Sequence, residues 1–171
     1  MQPTQSADEI EVEFERYGDG QPLLLLHSGM APPEYWRPVI PPSEEYGTVV
    51  PQRPGFETCL DSPAETSADE VLDRESRYVR ALADAVDGDP ILLGHSYGAL
   101  TAIKTATGTS VEAVIAYEPA VLPAEYRANA DLADRMASLV QDGKRAEAVK
   151  RYIEQVLHPD GIEDPDAWLA E

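Results

Sequence analysis

The residues best suited to chemistry are GHSYG at positions 94–98, which match the pattern G-x-S-x-G. Three large apolar residues precede this stretch, and small residues compatible with a helix follow it. In such a setting the two glycines permit a tight strand-to-helix turn that lifts the serine hydroxyl above the edge of a sheet. A serine that caps the start of the helix is the alternative interpretation. The position between an apolar strand and a helix favours Ser96 as a nucleophile.

A serine nucleophile needs a histidine to accept its proton and a carboxylate to orient that histidine. The chain contains three histidines. We interpret His27 and His95 as structural, because His27 belongs to an apolar strand and the side chain of His95 is expected to point away from Ser96. His158, in LHPDG, is a weak candidate for the base. Glu118 is a weak candidate for the acid, and a turn residue before a proline is its alternative interpretation.

Strands and helices that could position these residues alternate up to residue 119. The segment EIEVEFERY (9–17) alternates apolar and acidic residues, which is typical of a half-exposed strand. The apolar run at 23–27 is typical of a parallel strand that is covered on both faces, and further strands are predicted at 46–52, 90–93 and 111–119. This order predicts an α/β fold in which a mostly parallel sheet is flanked by helices.

Helices are predicted in three parts of the chain, and one of them is YGALTAIKTAT (97–107), directly after the motif. A capping box at 67–70 begins a helix that Gly88 ends, and one face carries an apolar stripe of Val71, Tyr78, Val79, Leu82 and Val86. After residue 119 the pattern is helical only, with one stripe that ends at Gly143, a second near HPDG and a short third helix in PDAWLAE. We therefore divide the chain into a core at 1–120 and a helical segment at 121–171.

These stretches resemble the α/β-hydrolase family. PLLLLHSGMAPPEYW (22–36) is similar to the family's strand and oxyanion loop, and LLGHSYGAL (92–100) is similar to its nucleophile elbow. The resemblance covers residues 9–120 and implies Ser96 as the nucleophile. It also implies the backbone N–H groups of Tyr97 and Gly29 as oxyanion-hole donors, and it makes the helical segment the start of a lid. Ser28 replaces the glycine that is usual in the family's loop.

The family places its acid and histidine after the serine, on loops that follow later strands. No strand is predicted after Tyr117. The resemblance therefore implies a partial, C-terminally truncated α/β-hydrolase. Because the strand at 111–118 is apolar and lacks a predicted neighbour on one side, either a second chain (another copy of this one included) or the lid helices are expected to cover that edge.

The composition of the chain limits the kinds of partner that it can bind. The chain has 171 residues, with 32 acidic and 13 basic side chains, and its net charge is −19. Such a surface repels nucleic acid and anionic membranes, and it is typical of proteins adapted to high salt. The single cysteine allows no intrachain disulfide, and no leader is recognisable, so a cytoplasmic location is expected. We expect neither a cofactor nor a metal, and disorder only at the N-terminus.

The sequence leaves three functions open. The first is hydrolysis of a small ester, or a related acyl substrate, through Ser96. The second is a catalytically incomplete remnant or a binding module that keeps the pocket without turnover. The third is a cofactor-independent perhydrolase or a lyase that cleaves carbon–carbon bonds on the same scaffold.

Overall fold

The structure is a computed structural model that describes residues 2–5, 11–40, 45–53, 68–121 and 131–157. Its strands are β1 (Gln2–Gln5), β2 (Glu11–Tyr17), β3 (Gln21–Leu26), β4 (Tyr46–Pro51), β5 (Ile91–His95) and β6 (Ala113–Tyr117). Its α-helices are α1 (Ala68–Ala85), α2 (Tyr97–Ala106), α3 (Leu132–Gln141) and α4 (Arg145–Tyr152). A 3₁₀ helix spans Pro33–Val39, and a π-helical turn spans Ile153–Leu157.

The six strands form one mixed sheet in the order β1-β2-β4-β3-β5-β6. The pairs β3–β4, β3–β5 and β5–β6 are parallel, whereas β1–β2 and β2–β4 are antiparallel. The predicted α/β fold with a mostly parallel sheet is therefore confirmed. The expected N-terminal disorder is wrong for Gln2–Gln5, since β1 uses its backbone to pair with β2.

Both faces of the central strand β3 are buried, as its apolar sequence predicts. Alternate residues of β3 point to opposite faces of the sheet. Leu24 and Leu26 join the core that the sheet forms with α1 and α2, whose other buried members include Val49, Val79, Leu82, Leu92 and Ala102. Leu23 and Leu25 lie on the opposite face and pack with Val50 and Trp36. The parallel β3 and β5 thus form the rigid centre that carries Ser96.

Helix α1 follows the predicted stripe. Val79 and Leu82 are buried, and Tyr78 and Val86 pack against the same core. Gly88 lies just beyond the helix with a φ of 91°, a left-handed conformation that glycine adopts without steric cost. Ser67 of the capping box lies outside the described residues.

The contacts divide the chain into two compact units, Met1–Val121 and Leu122–Glu171. In the second unit α3 and α4 are joined through Gly143, whose φ is 78°. Helix α4 ends at Tyr152 and continues as the π-helical turn. The predicted helix in PDAWLAE lies outside the described residues, and the lid function of this unit stays a prediction. No helix in the described ranges has both the length and the apolar composition needed to cross a bilayer.

Strand β6 lies at one end of the sheet that the described strands form, and its apolar side chains are accessible. Ile115 is 50% exposed and Tyr117 is 56% exposed, although the strand has the composition of an interior one. Among the described strands β6 pairs with β5 alone. That a second chain, another copy or the lid helices cover this edge stays a prediction.

Candidate active site

Ser96 occupies a strained turn between β5 and α2. Its φ is 54° and its ψ is −114°, which is unusual for a residue other than glycine. A backbone of this kind costs about 1–3 kcal/mol and persists only when its surroundings hold it in place. Here the Ser96 N–H donates to the Tyr117 carbonyl at 3.0 Å, and the Ser96 carbonyl accepts from the N–H groups of Ala99 and Ala120 at 3.1 and 3.2 Å. The turn is therefore held by both α2 and the segment after β6.

The two glycines of the motif let α2 approach the sheet closely. A Cβ atom on Gly94 would lie 2.3 Å from the Gly98 carbonyl oxygen. A Cβ atom on Gly98 would lie 2.2 Å from the Leu26 carbonyl oxygen and 2.5 Å from that of His27. Any side chain at either position would push the helix away from β3 and β5. Close packing, rather than a positive φ, accounts for these glycines.

The loop after β3 reaches the start of α2. A Cβ atom on Gly29 would lie 3.7 Å from the Cβ of Tyr97, so the two residues are neighbours. Tyr97 is the first residue of α2, and the N-terminal turn of a helix carries partial positive charge and N–H groups without intrahelical acceptors. The two residues assigned to the oxyanion hole by resemblance thus lie side by side. Their donor roles stay predictions.

His27 is fully buried beneath this loop. Its Nδ1 donates to the Ser28 carbonyl at 2.9 Å. Burial, with a further contribution from the charge of Arg53, lowers the pKa of His27 from 6.5 to about 4. The ring is therefore neutral near pH 7 and has no access to solvent. These properties suit a structural residue better than a general base.

His95 lies among aromatic rings. Its ring centroid is 5.6 Å from that of Tyr35, in a stacked arrangement, and 5.2 Å from that of Tyr117. Both tyrosines line an apolar groove of about 680 Å³ on this face of the sheet, whose other lining residues are Leu23, Leu25, Trp36, Pro38, Val39, Leu93 and Ile115. His95 thus belongs to an aromatic cluster beside the groove.

The two weak candidates for acid and base have different positions. Glu118 is exposed and directly follows β6, with a φ of 43°. The carbonyl of its neighbour Tyr117 accepts from the Ser96 N–H, so the chain at Glu118 passes close to the elbow. His158 lies outside the described residues. Within the described part of the chain, no group of three or more His, Cys, Asp or Glu residues could hold a metal ion.

Sequence reasoning missed a buried ion pair beside the elbow. Arg53 Nε lies 3.0 Å from Glu75 Oε2, and the two side chains are only 7% and 6% exposed. Burial raises the pKa of Glu75, against the opposing effect of Arg53. Burial also raises the pKa of the neighbouring Tyr97 to about 12. The available signal was the position of Glu75 within the apolar stripe of α1, between Val71 and Val79.

A serine on a strained turn between a central parallel strand and a helix defines the class of α/β proteins with a nucleophile elbow. The sequence profile of the Alpha/beta hydrolase family matches residues 23–171. The chain therefore belongs to this family, as its resemblance predicted. No curated protein sequence matches the chain.

Solved structures share the fold at low identity. An alpha/beta hydrolase from Sphaerobacter thermophilus DSM 20745 is 23% identical with a TM-score of 0.71, and the match covers 99% of this chain and 63% of that protein. AqDC, described by its recognition and ring-cleavage of the Pseudomonas quinolone signal, is 16% identical with a TM-score of 0.61, over 90% and 58%. An epoxide hydrolase from Vigna radiata is 21% identical with a TM-score of 0.55, over 67% and 36%. The chain thus spans less than two thirds of each of these proteins.

The buried state of His27 predicts a measurable pH dependence of stability. The unfolded chain takes up this proton near pH 6.5, whereas the folded protein takes it up near pH 4, so stability falls as the pH drops through that window. We expect the free energy of unfolding to decrease by about 2 kcal/mol between pH 7 and pH 5 because of this residue alone.

The measurement is urea unfolding of the wild type and His27→Gln at both pH values. A glutamine side chain does not titrate, and its amide can still donate to the Ser28 carbonyl. The titration of carboxyl groups affects both proteins equally and cancels in the comparison. The additional loss of about 2 kcal/mol in the free energy of unfolding should therefore occur in the wild type only. Equal losses in the two proteins would contradict the assigned pKa.

Proposed function

We propose that the chain hydrolyses small esters through Ser96. The strained Ser96 turn between two glycines that must remain glycine carries this proposal, because such strain is retained where a reactive group has to be held exposed. Family membership supports hydrolase chemistry in general. The choice of an ester substrate rests on the serine itself.

In the proposed reaction, the Ser96 hydroxyl attacks the ester carbonyl carbon while its proton passes to a general base. The negative charge then develops on the former carbonyl oxygen, next to the N–H groups of Tyr97 and Gly29. Collapse of this intermediate breaks the carbon–oxygen bond, the departing alcohol takes the proton, and an acyl-serine remains. Water then attacks the acyl carbon and gives its proton to the base, the bond from that carbon to Ser96 Oγ breaks, and the serine takes the proton as the acid is released. His158, which lies outside the described residues, is the weak candidate for this base within the chain.

A serine nucleophile also predicts which substrates fail. Attack of a serine hydroxyl on an epoxide would leave an ether, which has no carbonyl group through which water could release the product. An ester instead leaves an acyl-serine, which water can hydrolyse. The epoxide hydrolase among the structural neighbours therefore supports the fold here rather than the substrate.

The test is a substrate comparison at high salt, where the acidic surface is screened. We expect repeated turnover of p-nitrophenyl acetate and p-nitrophenyl butyrate by the folded chain, and no consumption of styrene oxide. Consumption of the epoxide without turnover of either ester would overturn the proposal.

A binding module without turnover is the second candidate, because the described histidines, His27 and His95, are respectively buried and held among aromatic rings. Calorimetric binding of p-nitrophenyl butyrate without release of p-nitrophenolate would favour this candidate. Multiple turnovers per chain would exclude it.

A further inference from the structure

Arg53 contacts three parts of the candidate site at once. It lies two residues after β4, is only 7% exposed, and its Nη1 donates to the His27 carbonyl at 2.7 Å. Its guanidinium carbon lies 4.8 Å from the centre of the Tyr97 ring, and its Nε lies 3.0 Å from the Glu75 carboxylate. The side chain therefore joins the loop after β3 to α2 and α1.

The His27 carbonyl is the critical contact. It is the last carbonyl before Ser28 and Gly29, the loop that lies beside Tyr97. The same oxygen would lie 2.5 Å from a Cβ atom on Gly98, so it lies close to the elbow as well as to Arg53. Movement of this carbonyl would carry the following loop with it. The position of Gly29 relative to Tyr97 therefore depends on Arg53.

A contribution to folding stability does not by itself explain why Arg53 and Glu75 form a buried ion pair. Burial of two charges costs desolvation energy, and replacement of a buried ion pair by apolar residues is often neutral or stabilising. A planar guanidinium can donate in several fixed directions and stack on a ring at the same time, which a lysine cannot do. The contacts of Arg53 use all of these properties. The ion pair therefore serves to hold the His27 carbonyl and the Tyr97 ring in fixed positions.

We propose that Arg53, oriented by Glu75, is the positioning residue that sets the distance between the oxyanion loop and the elbow, through the His27 carbonyl and the Tyr97 ring. This proposal rests on the proposed serine chemistry. Arg53 contacts no reacting atom itself. Its effect is on the alignment of the two backbone donors that face the developing oxyanion.

Arg53→Lys keeps the charge and removes the planar fork, whereas Glu75→Gln keeps the shape and removes the orienting charge. Since misplacement by 1 Å can cost about 10²-fold in rate, we expect kcat for p-nitrophenyl acetate to fall about 10²-fold in Arg53→Lys. The KM should change by less than about threefold, because the lost interaction acts on the transition state. Glu75→Gln should show a smaller loss of the same kind.

Arg80→Lys is the matched control. Arg80 lies on α1, like Glu75, is half-buried, and donates from Nη2 to the Lys104 carbonyl of α2 at 3.4 Å. Arg80 thus joins α1 to α2, as Arg53 does. Among the described residues it has no contact with the loop that follows β3. We expect its kcat and KM to equal those of the wild type.

A second readout is independent of turnover. Backbone NMR order parameters of residues 28–30 should fall from about 0.85 in the wild type to below about 0.6 in Arg53→Lys. The order parameters of Leu24 and Leu92 in the sheet should not change, and Arg80→Lys should show no change anywhere. If the order parameters of residues 28–30 fall in Arg53→Lys but the wild type hydrolyses no ester, the positioning role of Arg53 is supported and the proposed function is contradicted.

Two results would overturn the proposal. One is an unchanged loop at residues 28–30 in both Arg53→Lys and Glu75→Gln. The other is a uniform decrease of order parameters that includes Leu24 and Leu92, because this would show a general structural role. If Arg53→Lys does not fold, Glu75→Gln alone decides between these outcomes.

Discussion

We expect replacement of Ser96 by alanine to lower ester turnover by at least about 10⁴-fold, because removal of a serine nucleophile leaves only binding and oxyanion stabilisation. Far-UV circular dichroism should remain that of the wild type, since the turn is held by backbone hydrogen bonds to Tyr117, Ala99 and Ala120 that an alanine still makes. The measurement is the steady-state release of p-nitrophenolate from p-nitrophenyl acetate at high salt.

Ser110→Ala is the control for this substitution. Ser110 is exposed in the segment between α2 and β6, away from the motif, so its loss should leave the rate unchanged. Turnover that survives in Ser96→Ala at the wild-type rate would remove Ser96 from the mechanism. In that case the G-x-S-x-G stretch would be a helix start without chemistry.

Gly98→Ala is expected to impair both folding and catalysis. Its new methyl group would lie 2.2 Å from the Leu26 carbonyl oxygen, which belongs to the central strand β3, so α2 must move outward. Overpacking against backbone costs about 1–3 kcal/mol, and we expect at least about 2 kcal/mol here. Displacement of the helix also moves Ser96 and Tyr97, so kcat should fall at least about 10²-fold.

Gly29→Ala is the size-matched comparison for stability. Its Cβ atom would meet Tyr97 at 3.7 Å, an ordinary van der Waals distance, and its φ lies outside the left-handed region. We expect a change of less than about 1 kcal/mol in the free energy of unfolding, measured with urea. Equal stability losses in Gly98→Ala and Gly29→Ala would contradict the close approach of α2 to β3.

Local sequence patterns predicted much of the fold because they depend on local physics. The apolar runs of β3 and β5 and the stripe of α1 each reflect burial, which strand and helix periodicity reveal directly. Strand β1 has no such signal in QPTQ, since its pairing with β2 uses backbone groups that any sequence carries. The position of β6 at one end of the described sheet was predictable from the order of elements.

The candidate site was predictable only in part. The motif indicated Ser96, and the family resemblance indicated Tyr97 and Gly29, which the fold brings together. Arg53 and Glu75 lie 22 residues apart in sequence, and their pairing arises only when α1 packs beside the end of β4. Tertiary pairing of this kind leaves no local pattern beyond an acidic residue in an apolar stripe.

The most direct test of Ser96 as the nucleophile is to trap its acyl intermediate. The folded chain would be incubated with p-nitrophenyl acetate at high salt, quenched in acid and digested, and the acetylated residue would be located by mass spectrometry. The chain has only three lysines, at positions 104, 144 and 150, so few amines compete for the acetyl group. We predict acetyl on Ser96 that is absent from Ser96→Ala. Ester turnover with acetyl groups found only on lysines or on the amino terminus would contradict the assignment of Ser96 as the nucleophile.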